Sequence, residues 1–215
     1  ADFMVRQFDL EPAGDLWLVL DLDAAVQAGE GAESTVEYGV LLAASLAGQH
    51  LNQNRAVGLA AFGTEVALIA PQAGNAQLWR LLHGLAKVSA SSEWPLERVL
   101  RQVGPDLGRG RTLLVITPSW SSEWVAELLM LKRKDIAPAA LLLDRASFGH
   151  EAGSGLTALH GLLADHGIPT HVIDRGYVFR PLAPIKRKRT VLKTLGAHGR
   201  VVPVAASGTV EFAPR

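Results

Sequence analysis

The stretch LWLVLDLDAAV, Leu16 to Val26, limits the possible folds of this chain more than any other. An unbroken apolar, β-prone run from Leu16 to Leu20 stops at Asp21, with Asp23 two residues further on. A strand with one wet face alternates polar and apolar residues, so a continuous apolar run reads as a strand covered on both faces. Such a strand requires helices above and below it. The two carboxylates then fall at its C-terminal tip, where the loops leaving an open α/β sheet form a ligand crevice.

The rest of the chain supplies those helices. Phe3 to Leu10 reads as a first strand and Leu16 to Leu22 as a second. Ser34-Thr-Val-Glu37 has capping-box spacing ahead of Val40, Leu41, Ala44, Leu46, Ala47 and Leu51, which predicts a helix ending near Asn54. Val57 to Phe62 and Glu65 to Ile69 flank the turn signal Gly63-Thr64 and predict a hairpin that puts an antiparallel strand at the sheet edge. Helical patterning covers Ala76 to Val88, Pro95 to Val103, Ser122 to Lys134 and Gly155 to His166, and strands are expected at Thr112 to Thr117, Ala139 to Leu143 and Thr170 to Ile173. This alternation specifies a three-layer, Rossmann-like α/β fold with a mostly parallel central sheet. Leu18, Leu20, Leu59, Leu114, Ile116, Leu142 and Val172 are the expected core. Residues 1–175 form the expected α/β core, and 176–215 a basic, Pro-punctuated segment of some helical character followed by a hairpin, Val201 to Phe212, turning at Ser207-Gly208 and packed on the same domain.

Composition removes several classes of function. The 215 residues carry 21 basic and 21 acidic side chains, so no global field draws in nucleic acid or an anionic membrane. With no Cys there is no disulfide, thiolate metal site or cysteine nucleophile, which suits a reducing, cytoplasmic setting. No run reaches the roughly 18 apolar residues of a membrane span. The chain starts at Ala1 without a signal-peptide pattern, as an excised domain or processed form would. The seven His residues show no ligand spacing, and the sequence holds no Gly-x-Ser-x-Gly, His-Glu-x-x-His, Walker or dinucleotide-binding motif.

FMVRQFDLE (Phe3 to Glu11) leading into LWLVLDLD, then EYGVLLAASLA (Glu37 to Ala47), VGLAAFG (Val57 to Gly63) and QLWRLLHGLA (Gln77 to Ala86) together resemble the domain-of-unknown-function family 58, a bacterial branch with a von Willebrand factor A-like core. The resemblance runs from Phe3 to about Asp174. Von Willebrand A domains hold Mg²⁺ at the tip of the first central strand through Asp-x-Ser-x-Ser, a Thr from a later loop and an Asp after the fourth strand. Here Asp21 matches the motif's Asp, Asp23 takes the first Ser position and Ala25 the second. Ser91 or Ser92 stands where the loop Thr belongs, and Thr117-Pro118-Ser119 where the family has Thr-Asp-Gly, so the distal Asp is missing. Asp21, Asp23 and Ser92 are thus expected to form a weak or vestigial Mg²⁺ site, with no permanent cofactor. The family resemblance further implies a MoxR-type AAA+ ATPase as partner and a membrane anchor upstream of this core, on the cytoplasmic side.

An alternative is a haloacid-dehalogenase-like, Mg²⁺-dependent phosphohydrolase, in which Asp21 attacks phosphorus and Asp23 serves as acid/base. Against it, Ala25 replaces the usual Thr or Val, and no paired acidic metal loop follows. Asp144 and Asp174, also at strand ends, lie about 10 and 14 Å from the Asp21 strand in a von Willebrand A sheet, and read as loop caps or as partners of Arg145 and Arg175. Trp94, Trp120 and Trp124, with Glu93 and Ser119, gather at the sheet's C-terminal edge and are the expected partner-binding residues. The tetrapeptide Ser-Ser-Glu-Trp occurs twice, at 91–94 and 121–124, each time at a helix entry. Lys186, Arg187, Lys188 and Arg189 form the one basic patch, without the aromatic interleaving of a nucleic-acid binder. The expected function is a non-enzymatic, adaptor-like interaction domain with a degenerate metal-ion-dependent adhesion site.

Overall fold

The computed structural model describes residues 14–177 and, beyond them, the strands at 189–195 and 200–206. The chain divides into two compact units, residues 1–181 and 182–215.

In the first unit β1 (Leu16–Leu20), β2 (Val57–Phe62), β3 (Val66–Gln72), β4 (Arg111–Thr117), β5 (Ile136–Leu143) and β6 (Thr170–Ile173) form one sheet in the order β3-β2-β1-β4-β5-β6. All neighbours are parallel except β2 and β3. Helices α1 (Thr35–Asn52), α2 (Asn75–Leu85), α3 (Leu96–Val103), α4 (Glu123–Arg133) and α5 (Gly155–Asp165) cover it. β1 lies between two parallel neighbours, with Leu18 opposite Leu59 and Leu114. Successive side chains leave a strand on opposite faces. Leu16, Leu18 and Leu20 therefore pack with Leu42, Leu51, Leu78 and Leu81 of α1 and α2. Trp17 and Val19 enter a second core with Val99, Leu100, Leu128 and Leu163 of α3, α4 and α5. Each such side chain contributes about 1.5–3 kcal/mol of burial, which is why the run carries no polar residue.

Ser34 Oγ caps α1 by accepting the Glu37 N–H at 3.2 Å. The Ser34 N–H donates to the Gly31 carbonyl at 3.2 Å, so a backbone turn takes the place of the box's reciprocal bond. A Cβ at Gly39 would lie 2.7 Å from Leu20 Cδ1, so the bare glycine lets α1 sit close on β1. Edge positions behave differently. β3 alternates exposed Val66 and Leu68 with half-buried Ala67 and Ile69, because helices cover only one of its faces. Val172, expected in the core, is only half-buried on edge strand β6, while the other six expected core residues are buried. No helix among the described residues is long and apolar enough to cross a membrane.

In the second unit β7 (Arg189–Leu195) pairs antiparallel with β8 (Arg200–Ala206), Leu195 opposite Arg200. This bears on two expectations. The strand starting near Val201 pairs with a strand before it, while the rest of the expected hairpin, Ser207 to Phe212, lies outside the described residues, and 189–195 is strand rather than helix, in keeping with β-branched Thr190, Val191 and Thr194. The expected strand Phe3 to Leu10 lies outside the described residues.

Candidate functional site

The tip of β1 is held by its neighbour β4. The Asp21 N–H donates to the Ile116 carbonyl at 2.9 Å, which carries the parallel ladder one residue beyond the strand. Asp21 and Thr117 are thereby set side by side, and both are buried. The Thr117 hydroxyl donates to Asp21 Oδ2 at 2.5 Å, and Asp21 Oδ1 accepts the Asp23 N–H at 3.1 Å. Thr117 Oγ1 in turn accepts the Ser119 N–H at 2.9 Å.

The loop after β1 is tied to the first turn of α1. Gln27 Nε2 donates to the Asp21 and Asp23 carbonyls at 3.0 and 3.2 Å, and Gln27 Oε1 accepts the Thr35 hydroxyl at 2.7 Å. Asp23 bridges in parallel to Ser91, with Ala24 N–H donating to the Ser91 carbonyl at 3.1 Å and Ser91 N–H to the Leu22 carbonyl at 2.9 Å. The Asp23 carboxylate turns to cap the Ala25 N–H at 3.0 Å. Ser92 is exposed, and it is Ser91 that meets the acidic strand.

Burial pushes the Asp21 carboxyl up to about 7, over the opposing pull of the Thr117 hydroxyl and the Asp23 N–H, and the charges of Asp23 and Glu97 add to the rise. A carboxyl in that range can hold or release a proton near neutrality. Among the described residues no group of three or more His, Asp or Glu side chains stands ready to hold a metal ion. Mg²⁺ needs several oxygens converging on an octahedral point. Here both Asp21 oxygens and Asp23 Oδ1 already accept hydrogen bonds, from Thr117 and from within the loop, so this donor set does not fit a resident Mg²⁺.

The tryptophans separate. Trp124 is 1% exposed in α4, part of the core and out of reach of a partner, which corrects its placement among the docking residues. Trp94 is half-buried, its ring 5.0 Å from Phe62 with the Arg98 guanidinium 4.3 Å above it. Trp120 is also half-buried, against Gly153 and Gly155, and lies beside Arg145 and His150. Glu93 is exposed and Ser119 buried. Asp144 caps the Ala146 N–H at 3.1 Å and leaves Arg145 unpaired, and Arg175 pairs with Glu33 at 2.8 Å instead of Asp174. Lys186, Arg187 and Lys188 lie outside the described residues, and Arg189 begins β7. Sequence reasoning about the metal site passed over Thr117 as the partner of Asp21, although a hydroxyl closing the apolar run of the adjacent strand was the available signal. Nothing in the sequence marked the Gln27–Thr35 tie.

A family model described as "Protein of unknown function DUF58" matches residues 1–146. The chain belongs to this family. No curated protein matches the sequence significantly. Among solved structures the DUF58 chain is similar to the conserved hypothetical protein BatB from Bacteroides thetaiotaomicron, with a TM-score of 0.52 at 12% identity over 76% of this chain and 91% of that one. The SpRpn10 VWA domain gives 0.51 at 11% identity, over 77% and 90%. The pilus adhesin SpaC from Lactobacillus rhamnosus GG gives 0.53 at 15% identity, over 78% of this chain but only 28% of the adhesin. These likenesses establish the von Willebrand A-type α/β fold, and the sheet order agrees with it.

Proposed function

We propose that this DUF58 domain is a non-enzymatic, adaptor-like protein-interaction module with a degenerate metal-ion-dependent adhesion site. Its docking surface is the C-terminal edge of the sheet around Glu93-Trp94 and Ser119-Trp120, with Trp124 removed from the set. The observation that carries this reading is the closed Asp21–Thr117 pair, whose oxygens serve one another, with no metal-holding cluster among the described residues. What remains at that edge is exposed Glu93 with half-buried Trp94 and Trp120, a composition suited to recognition. A MoxR-type AAA+ ATPase is the proposed partner and the cytoplasm the proposed compartment, both resting on the family resemblance. The phosphohydrolase alternative finds no support in the fold or its neighbours.

The test is capture of the partner with this domain as bait, followed by binding of two variants at low and high salt. Trp120→Ala should weaken binding by about 2 kcal/mol or more with the fold intact by circular dichroism. Charge reversal at Lys186 to Arg189 should have a smaller effect that fades with salt, since exposed charges are screened beyond about 10 Å at 0.1 M. Loss of binding in the basic-patch variant alone would move the interface elsewhere. Mg²⁺-dependent phosphate-ester turnover that disappears in Asp21→Asn would overturn the non-enzymatic reading.

A further inference from the structure

Arg145 comes just after Asp144 at the end of β5, and Trp120 after Pro118 and Ser119 at the end of β4, so the two rise from neighbouring strands at the same edge of the sheet. The guanidinium carbon lies 5.2 Å from the centre of a Trp120 ring, and Nη2 lies 2.9 Å from His150 Nε2. Among the described residues no carboxylate pairs with it. The ion pairs among the described residues are Arg101–Glu127, Arg111–Asp15 and Arg175–Glu33, and the adjacent Asp144 uses Oδ1 to cap Ala146. Arg145 Nε is buried without an acceptor, and so is Trp120 Nε1 beside it. A guanidinium offers five N–H donors and accepts none, and an imidazole nitrogen of His150 is what the structure places against Nη2. Burial works against the charge of Arg145, and no opposing charge among the described residues offsets it.

The arrangement is built in advance of any ligand. The turn Arg145–Phe148 closes through Gly149 at φ +93°, a left-handed conformation that suits glycine, and the His150 N–H donates to the Arg145 carbonyl at 3.0 Å. The ring is thereby held against the guanidinium. On the other side Trp120 rests on Gly155, where a Cβ would come within 3.1 Å of it.

We propose that Arg145, backed by Trp120 and His150, receives the carboxylate of an acidic side chain on the protein partner. A carboxylate matches the planar fork with two parallel hydrogen bonds and supplies the charge that the cluster lacks. A single guanidinium balances one negative charge, which favours a carboxylate over a phosphate dianion. The inference rests on the reading of this edge as the docking surface and adds the chemistry that it recognises.

The side-chain N–H groups of Arg145 and Trp120 give separate ¹⁵N resonances, so the site can be followed in the full 215-residue chain. The titrants are the acetylated, amidated tripeptide Gly-Glu-Gly, its Gly-Gln-Gly counterpart and inorganic phosphate. The glutamate peptide should shift both resonances saturably, and the glutamine peptide should bind at least about tenfold more weakly. Arg145→Lys keeps the charge and loses the fork, and should weaken the glutamate peptide by a similar factor with an unchanged melting temperature. Arg145→Gln should abolish the effect. Equal titration by the glutamine peptide, tighter binding of phosphate, or an Arg145→Lys titration matching that of the parent would overturn the inference. A captured partner that depends on Trp120 yet binds Arg145→Lys unchanged overturns the carboxylate inference alone. A partner indifferent to both variants, alongside a glutamate peptide that still titrates, overturns the docking surface and leaves the carboxylate site standing.

Discussion

Two polar clusters stand at the same edge of one sheet with opposite accounts. At the tips of β1 and β4, Asp21 is an acid whose oxygens are taken by Thr117 and by its own loop, sealed from solvent and driven toward its neutral form. At the tips of β4 and β5, Arg145 is a base with an aromatic wall, an imidazole and no acid. The central strands are buried on both faces, so a charge at their tips must be neutralised or partnered from within. β5, one strand further out, is as buried as they are up to Leu143, and only past its end do Asp144 and Arg145 stand half-exposed. Burial at the tip itself thus decides which charge is closed and which stays open.

The largest expected effect tests the closed side. Folded Asp21 keeps its proton up to about pH 7, whereas the unfolded carboxyl releases it near 3.8. Below 3.8 both states hold the proton. Between the two values the folded state binds one more proton than the unfolded, so stability falls as pH rises through this window and levels off above it. About three pH units correspond to about 4 kcal/mol. Asp21→Asn cannot ionise, so urea unfolding at pH 4 and pH 8 should show the parent losing about that much relative to the variant. Parallel curves for the two proteins would mean that Asp21 is ionised in the fold and the site is open.

Next comes the floor of the same site. Ile116, fully buried, precedes Thr117, and Ile116→Ala should cost about 3 kcal/mol in chemical unfolding. Arg145→Lys, at the half-exposed end, should stay within about 0.5 kcal/mol. If the two costs were alike, the contrast between a sealed tip and an open one would fail.

Much of this was legible in the sequence because periodicity reports burial. The Leu16–Leu20 run, the Ser34 cap and the Val57 to Ile69 hairpin each follow from local pattern. Side-chain partners across the sheet were not legible in this way. Asp21 meets Thr117 through strand register, at a separation of 96 residues, which no local spacing encodes. The repeated Ser-Ser-Glu-Trp shows the limit clearly. In both copies the first Ser accepts the Glu N–H, at 3.3 Å in Ser91–Glu93 and 3.2 Å in Ser121–Glu123. Yet Trp124 sinks into the core while Trp94 stays half-buried over Phe62. Local sequence set the turn, and the depth of each tryptophan came from the helix that follows it. Val172 differs from the other expected core residues for a related reason, since its strand lies at the edge.

The smallest expected effect is also the sharpest on the acidic side. A ligand present at a hundred times its dissociation constant stabilises a fold by about 2.7 kcal/mol, a shift of several degrees in melting temperature. At pH 6 the Asp21 carboxyl is largely protonated, and a cation would have to displace both that proton and the Thr117 hydroxyl, so millimolar Mg²⁺ and EDTA should give the same melting temperature. At pH 9 the proton is gone and a buried negative charge faces only a hydroxyl and one backbone N–H, the condition most receptive to a cation. Asp23 Oδ1 still caps Ala25, so too few ligands converge and the two melting temperatures should remain within a degree or so. A Mg²⁺-dependent rise at pH 9 that is absent at pH 6 and absent in Asp21→Asn would place a cation against Asp21. The acidic tip would then be an open site awaiting its partner, as the Arg145 tip is, and the division between the two ends would disappear.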